Sequence, residues 1–252
     1  MENHTKVLSY IILHQGRPYL AAAVEAILPQ VDKLIIFYTP NPSQGFQSEI
    51  PCPDTESDLL YEVQRGAGDQ LSKIQWIRGN WQNESEHVNA VSAYTDGYDW
   101  LWRLDADEVA PSGIVEEMIR QASATDKQIF RIPFVHFWRC FYRVCRDGSH
   151  PVRLIRLNQG KGETTLDSCN QRWEVYHGGY CQGSKYIRYK LDVSGHRPEF
   201  RPRWYEEVWL KNLQQNVHPV MHTNHWMPKD FDINNLPDVL KRHPYYSLGL
   251  VE

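Results

Sequence analysis

The first half of the chain alternates short apolar runs with longer segments of helical spacing. Runs rich in β-branched and aromatic residues, typical of strands, occupy residues 6–13, 32–39, 73–79 and 98–104. Helix patterns with an early proline or an acidic first turn occupy residues 18–28, 83–97 and 111–122, and a further one contains Leu59, Leu60 and Val63. This β-α-β-α order favours a mainly parallel sheet flanked by helices, an α/β fold of the Rossmann-like type.

The loops that follow three of these predicted strands carry polar side chains. They are His14–Arg17 after the first strand, Thr39–Gly45 after the second, and residues 105–108 after the fourth. In open parallel sheets, ligands bind beyond the carboxyl ends of the strands. The sequence therefore predicts a ligand site where these three segments converge.

The pattern changes after residue 128. Short β-like runs ("QIFRIPFVHFW", "PVRLIRL", "KYIRYKL") are joined by Gly-rich turns ("QGKGET", "HGGYCQG"), and one helix is predicted at about residues 202–216. No linker and no internal repeat separates the halves. We therefore expect a single domain over residues 1–252, in which a β-rich second half (129–252) completes the fold of residues 1–128.

Several features of the sequence indicate a cytoplasmic protein. No apolar run reaches the roughly 18 residues that a membrane span requires, and the N-terminal "MENHTKVLSYIILHQG" lacks the basic leader and cleavage site of a signal peptide. Five cysteines form an odd set without a CxxC pair, which favours reduced thiols over disulfides, a zinc knuckle or a redox motif.

The stretch "DWLWRLDADEV" places three carboxylates, Asp105, Asp107 and Glu108, directly after an apolar strand. Side chains two positions apart on extended backbone point the same way, so Asp105 and Asp107 can approach one ion, with Glu108 behind them. Two carboxylates with open coordination positions suit Mg²⁺ or Mn²⁺. The alternative is an acidic helix start, because Pro111 opens a predicted helix just downstream.

The segment "YDWLWRLDADEV" resembles the metal-binding D-x-D segment of glycosyltransferases with the GT-A fold. It is most similar to the family-two-like branch, which includes many bacterial and phage enzymes. Upstream, "IILHQGRPYLAAAVEAILPQVDKLIIFYTPNPSQG" and "IQWIRGNWQNESEHVNAV" are similar to the same branch. Downstream, "WEVYHGGYCQGSKYIRYK" resembles an H-x-G-Y/W…K segment and "HPVM" a later His-Pro element. The similarity is continuous over residues 6–125 and patchier beyond.

The resemblance implies a metal-dependent glycosyltransferase that uses a nucleotide-diphosphate sugar, with UDP-sugars expected first. Residues 1–128 would hold the donor and the metal, and residues 129–252 would face the acceptor. The implied metal ligands are Asp105, Asp107 and His177. The implied donor-binding residues are His14, Arg17, Tyr38, Thr39, Asn89, Asp105 and Lys190, with Arg188 as a further candidate for the diphosphate.

Two positions depart from the family pattern. Many members have an acidic residue at the end of the second strand, where this chain has "FYTPNP", so Tyr38, Thr39 or His14 would have to take over base recognition. Many also carry an arginine before the helix asparagine, where this chain has Val88.

Transfer by inversion requires a carboxylate that accepts the proton of the acceptor hydroxyl. Glu174 is the first candidate, because it lies three residues before His177 and follows Trp173, and Asp167 is the second. Asp192 is a third candidate. Each of them can instead form an ion pair with a nearby arginine.

Three histidines in "HPVMHTNH", at positions 218, 222 and 225, would share one face of a helix, which is compatible with zinc. Prolines on both sides interrupt helix, so a place for His218 or His222 in the acceptor cleft is the stronger alternative.

The charge of the chain is uneven. Residues 1–129 hold 9 basic and 19 acidic residues, whereas residues 130–210 hold 14 basic and 8 acidic ones and many of the aromatic residues. Such a segment either pairs internally with the acidic half or binds an anionic acceptor.

Hydroxymethylated bases of phage DNA are one candidate acceptor, since some phage transferases that resemble this glycosyltransferase family use them. Such a base would be flipped out of the duplex, in the cytoplasm of the host. A surface glycan or a protein hydroxyl is the alternative acceptor. Two other functions stay open: a sugar-phosphate nucleotidyltransferase, and a non-enzymatic module that binds polyanions.

Overall fold

The computed structural model describes residues 5–146, 150–169, 171–212 and 215–252. Its strands are β1 (Val7–Leu13), β2 (Lys33–Tyr38), β3 (Ile74–Arg78), β4 (Trp100–Arg103), β5 (Glu108–Val109), β6 (Ile129–Arg131), β7 (Phe134–Trp138), β8 (Arg143–Cys145), β9 (Val152–Arg156), β10 (Glu163–Thr165), β11 (Val175–Tyr180) and β12 (Lys229–Asp230). Its α-helices are α1 (Arg17–Ile27), α2 (Glu56–Ala67), α3 (Glu84–Asn89), α4 (Ile114–Ser123), α5 (Ser184–Val193) and α6 (Asp238–Lys241).

The first sheet has seven strands in the order β10-β6-β9-β4-β1-β2-β3. The four strands of the first half, β4, β1, β2 and β3, are all parallel, whereas β9 runs antiparallel to both of its neighbours. Helices flank this sheet, so the predicted α/β class with a mainly parallel sheet is confirmed.

Strand β1 is buried on both faces, as an inner strand of a helix-covered sheet must be. Ile11 and Leu13 pack on one face in the largest core cluster, with Leu20 and Val24 of α1. Leu8 and Tyr10 point to the opposite face. The largest cluster also contains Phe130, Phe134, Leu154 and Val175, so both halves of the chain contribute to it.

The second sheet has five strands in the order β12-β8-β7-β11-β5. Strands β7 and β11 are parallel, with His177 beside His136, and β5 pairs antiparallel with β11. Glu108 of β5 therefore lies beside His177. This small sheet brings the chain directly after Asp107 against the second half.

Three sequence-based predictions for the second half are wrong. "KYIRYKL" is part of helix α5, in which Tyr186, Tyr189 and Val193 are buried at spacings of three and four. "HGGY" belongs to strand β11 and is not a turn. The helix predicted at 202–216 is a π-helical turn at Tyr205–Trp209, and residues 213–214 lie outside the described residues.

Among the described residues, no helix combines the length and the apolar character needed to span a membrane.

Candidate functional site

A cavity of about 530 Å³ opens at the carboxyl edge of β1, β2 and β4. Residues 12–16, 42–44, 103 and 105–108 line one side of it, so the three predicted loops do converge there. The second half supplies the other side, including His136, Arg153, His177, Lys190, His218 and Trp226. The close approach of the first and third loops depends on small residues: a Cβ on Gly16 would lie 2.5 Å from the Cβ of Ala106.

Asp107 lies between several donors of the second half. Lys190 Nζ donates to its Oδ2 at 3.0 Å and Gln182 Nε2 at 3.3 Å, and His177 Nε2 lies 3.6 Å from its Oδ1. Burial favours the neutral carboxyl, but Lys190 and His177 together hold the pKa of Asp107 well below its usual value. Asp107 is therefore an anion at neutral pH.

Two glycines of β11 give His177 its place. A Cβ on Gly179 would lie 2.3 Å from Cε1 and 2.5 Å from Nε2 of the His177 ring, and 3.0 Å from Lys190 Nζ. A Cβ on Gly178 would lie within 2.7 Å of three atoms of the Tyr19 ring. The Gly178 N–H donates to the Asp107 carbonyl at 2.7 Å, which fixes β11 beside the acidic segment. The two glycines of "HGG" thus let the backbone of β11 pass close to the rings of Tyr19 and His177.

Asp105 faces a different set of cations. Its Oδ2 accepts from Arg153 Nη2 at 2.7 Å, and its Oδ1 lies 3.4 Å from Arg103 Nε. Burial opposes ionisation, but these two guanidinium groups lower the pKa of Asp105. Glu108 lies behind it, almost fully buried, and accepts from the same Arg153 through both oxygens. The structure thus directs Asp105 to arginines and Asp107 to Lys190 and His177.

The described residues contain no group of three or more His, Cys, Asp or Glu side chains placed to hold a metal ion. Asp107 and His177 form a pair instead, in which a carboxylate oxygen and an imidazole nitrogen lie 3.6 Å apart at the cavity. Mg²⁺ and Mn²⁺ suit a pair, because such ions take further ligands from water and substrate phosphates. The donor set of this pair fits a cation of that kind. Metal binding by Asp105, Asp107 and His177 stays a prediction.

His14 lines the cavity as a neutral ring. Its Nδ1 donates to the Thr39 carbonyl at 3.0 Å, so its Nε2 accepts from the Tyr189 hydroxyl at 2.7 Å. Burial lowers the pKa of His14, against the hydrogen bond to Thr39. Both ring nitrogens are engaged, so His14 offers a ligand a ring surface rather than a charge.

His87 is a cavity residue that sequence reasoning missed. Its Nε2 donates to the Phe37 carbonyl at 2.7 Å, and its Nδ1 accepts from the Ser43 hydroxyl at 2.9 Å, which ties helix α3 to the loop after β2. The ring stacks on Trp81 at a centroid distance of 4.2 Å. Burial lowers the pKa of His87 to about 4. The sequence offered one indication of this role: His87 lies two positions before Asn89, the asparagine that the family resemblance assigns to donor binding.

Four of the predicted donor-binding residues lie outside the cavity lining. The Arg17 guanidinium points to Asp58 and Glu62 of α2, at 3.4 and 3.7 Å. Tyr38 stacks on Trp76, and Asn89 is exposed at the end of α3. Thr39 is buried, and its carbonyl holds His14.

The two predicted catalytic carboxylates also lie outside the lining. Arg146 donates to both oxygens of Glu174, at 3.2 and 3.0 Å, and Glu174 is buried with that partner. Asp167 accepts from the Cys169 N–H and receives no contact from the cavity walls. Glu174 thus forms an ion pair with an arginine, as the alternative for these carboxylates had it, whereas the Asp167 side chain meets a backbone N–H. Their catalytic role stays a prediction.

The three histidines of "HPVMHTNH" do not share a helix face. Residues 215–223 are non-helical, and only a 3-10 turn at Asn224–Trp226 follows. His218 lines the cavity and its Nδ1 accepts from two backbone N–H groups, whereas His222 and His225 are exposed and outside the lining. A place for His218 in the acceptor cleft stays a prediction.

The arginines of the basic segment are used largely within the fold. Arg139 lies 4.2 Å from the Trp209 ring centroid and donates to the Trp209 carbonyl. Arg156 donates to the carbonyls of Ala122 and Thr125, and Arg188 pairs with Glu206. These contacts are internal, and the pairs of Arg153 with Asp105 and Glu108 join the basic segment to the acidic half, as one of the two alternatives had it. Binding to DNA stays a prediction.

No protein-family model and no curated protein matches the chain. Among solved structures, 4-diphosphocytidyl-2C-methyl-D-erythritol synthase from Anaerococcus prevotii DSM 20548 is similar, with 8% sequence identity and a TM-score of 0.35. The match covers 60% of this chain and 70% of the other. A similarity of this extent supports no conclusion about activity.

Proposed function

We propose that this protein is a glycosyltransferase that takes a nucleotide-diphosphate sugar as donor and transfers the sugar to an acceptor hydroxyl. The observation that carries the proposal is the juxtaposition of Asp107, His177 and Lys190 at the carboxyl edge of a parallel sheet. A phosphate-binding cation and an ammonium group at one point are what a diphosphate leaving group requires.

Asp107 and His177 are the residues that would hold Mg²⁺ or Mn²⁺. When bound, such an ion would supply positive charge to the diphosphate leaving group. Lys190 lies within hydrogen-bond distance of Asp107 and can donate to a phosphate oxygen from the same side. Asp105 keeps Arg153 and Arg103 in place at the neighbouring wall.

The nucleoside would lie along the wall made by residues 12–16 and 42–44. His14 and His87 present neutral rings there, because each donates one ring N–H to a carbonyl and accepts from a hydroxyl. This wall therefore offers shape and ring surface to an uncharged base and ribose. The charged contacts are concentrated near Asp107, where the diphosphate would lie.

The catalytic base remains Glu174 in this proposal, with Asp167 second. Both Glu174 oxygens accept from Arg146, so Glu174 can take a proton from an acceptor only after that ion pair opens. The acceptor is a hydroxyl on a glycan, a protein or a hydroxymethylated base, and these are separate arms of the test.

The test incubates the purified protein with UDP-glucose and other nucleotide sugars, with Mn²⁺, Mg²⁺ or EDTA, and measures release of the nucleoside diphosphate. We expect release that depends on the cation and falls about 100-fold or more in Asp107→Asn. Asp96→Asn, at an exposed position, is the matched control and should match the wild type. An acceptor screen with glycans, protein and hydroxymethylated DNA then identifies the product.

Two results contradict the proposal. Pyrophosphate release from a nucleoside triphosphate and a sugar phosphate, without diphosphate release from any sugar nucleotide, identifies a nucleotidyltransferase instead. Polyanion binding that survives EDTA and Asp107→Asn, without turnover of any donor, identifies a binding module.

A further inference from the structure

His136 stands directly beside His177 across two parallel strands. The two residues are register partners in β7 and β11, so their side chains leave the sheet on the same side. Their Nδ1 atoms are 2.8 Å apart, and the rings meet edge to face at 89° with centroids 4.9 Å apart. His136 is itself 8% exposed.

The neighbours of His136 hold its ring in this position. The Trp226 ring lies 4.8 Å away, centroid to centroid, and the Phe134 ring 5.7 Å away. The His136 ring, in the wall of the cavity, is therefore held between two aromatic neighbours, and His177 meets a fixed partner. His177, at the cavity, has its Nε2 directed towards Asp107 Oδ1.

Two facing imidazole nitrogens at hydrogen-bond distance share one proton, since one must donate and the other accept. A His177 ring that offers the lone pair of Nε2 to a cation carries its proton on Nδ1, and that proton is donated to Nδ1 of His136. His136 then carries its own proton on Nε2. Neutral histidine that binds a metal through one nitrogen commonly donates the other N–H to a fixed acceptor.

We propose that His136 is a positioning residue for the cation site: its Nδ1 accepts from His177 Nδ1–H and so fixes His177 in the tautomer and orientation in which Nε2 is free to bind a divalent cation. The inference rests on the proposed function in one respect, the cation at Asp107 and His177. It goes further by assigning to His136 a role that it exerts through the tautomer of His177 and not as a ligand of the cation.

The test measures the affinity of the donor-free protein for Mn²⁺ by isothermal titration calorimetry in three variants. His136→Asn places a carbonyl oxygen close to the position of Nδ1 and should bind Mn²⁺ within about threefold of the wild type. His136→Phe keeps the ring volume without an acceptor, and His136→Gln reaches the position of Nε2 instead. Both should bind about 10–100-fold more weakly. Thermal unfolding in EDTA checks that each variant is folded.

The order of the Mn²⁺ affinities among the variants distinguishes a positioning role of His136 from a packing role. If His136 only fills space, His136→Phe binds Mn²⁺ like the wild type and His136→Asn is the weakest, and the inference is overturned. A second measurement, long-range ¹H–¹⁵N NMR of His177 in Mg²⁺, should show the proton on Nδ1, and a proton on Nε2 overturns the inference in the same way.

Failure of this inference is distinguishable from failure of the proposed function. Wild-type protein that releases nucleoside diphosphate but does not bind Mn²⁺ overturns the role of His136 and leaves sugar transfer intact. Wild-type protein that binds Mn²⁺ with the expected order of variants, yet turns over no donor, supports the role of His136 and overturns the transferase.

Discussion

Burial keeps the rings of His14 and His87 neutral, and the carbonyl that each ring meets fixes the nitrogen that carries the proton. His14 donates to Thr39 and His87 to Phe37, and a hydroxyl group saturates the second nitrogen of each ring. A carbonyl oxygen can only accept, so it determines which nitrogen carries the proton. Protonation of either ring would place a second N–H against the hydroxyl group that already donates to that nitrogen.

His87 should make the stability of the protein depend on pH. Its pKa is lowered by burial to about 4 in the fold, so the unfolded chain, with an ordinary value of about 6.5, binds the proton more tightly. The stabilisation is complete above pH about 6.5 and is lost as pH falls towards about 4. The free energy of unfolding should therefore fall by up to about 3 kcal/mol over this range on account of His87 alone.

Urea denaturation of His87→Gln between pH 4 and 7 checks this prediction. Glutamine can still donate to the Phe37 carbonyl but does not titrate. The unfolding free energy of His87→Gln should therefore decline less steeply with falling pH, by the slope that corresponds to the uptake of about one proton on unfolding. His196→Gln is the control, because the His196 side chain is 72% exposed. Equal pH dependence in His87→Gln and the wild type would contradict the prediction.

At the scale of elements, helix α1 receives its N-terminal cap from a distant loop. Asp54 accepts from the N–H groups of Gly16 and Arg17 at 2.8 and 3.0 Å, and from the Tyr186 hydroxyl of α5 at 2.7 Å. The negative carboxylate also suits the positive end of the helix. One side chain thus joins α1, α5 and the loop after β2, all of which adjoin the cavity.

Asp54→Ala should lower the free energy of unfolding by about 3 kcal/mol. The substitution leaves N–H and O–H donors of a buried region without an acceptor, which costs more than the loss of the bonds themselves. Urea denaturation at pH 7 measures it, with Asp69→Ala, at an exposed position, as the control. A loss below about 1 kcal/mol would show that Asp54 does not tie these elements together.

Helix α5 shows where local pattern fails. The spacing of apolar and charged residues in its sequence, "SKYIRYKLDV", is compatible with a strand as well as with a helix. Burial of Tyr186, Ile187 and Tyr189 against the rest of the fold selects the helix, and that burial follows from tertiary packing. The helix also carries Lys190 and Tyr189 to the cavity, at Asp107 and His14.

At the scale of the whole molecule, one buried ion pair connects the two sheets. Arg153 lies in β9 of the first sheet and Glu108 in β5 of the second, and the carboxylate accepts from two guanidinium nitrogens. Both side chains are almost fully buried, and Arg153 reaches Asp105 as well. The acidic cluster of the sequence is thus neutralised partly by an arginine 45 residues away from Glu108.

Arg153→Met should destabilise the protein by about 3–5 kcal/mol, because it leaves Glu108 buried without its partner. Arg153→Met combined with Glu108→Gln should recover about 2 kcal/mol of that loss. Urea denaturation of the four proteins of this double-mutant cycle gives the coupling energy. Arg120→Met is the control for an exposed pair and should cost under about 1 kcal/mol. Additive single effects would show that the pair does not hold the sheets together.

The sequence by itself determined the parallel βα half and the convergence of three loops at the carboxyl edge of its sheet. Those features follow from apolar periodicity and strand direction, which are local properties of the chain. Only the tertiary structure decided which cation each carboxylate meets: Asp105 faces arginines, whereas Asp107 faces Lys190 and His177. Contacts across tens of residues leave no periodic signal in the sequence. The partner of His177, and which arginine pairs with Glu174, were therefore beyond sequence reasoning.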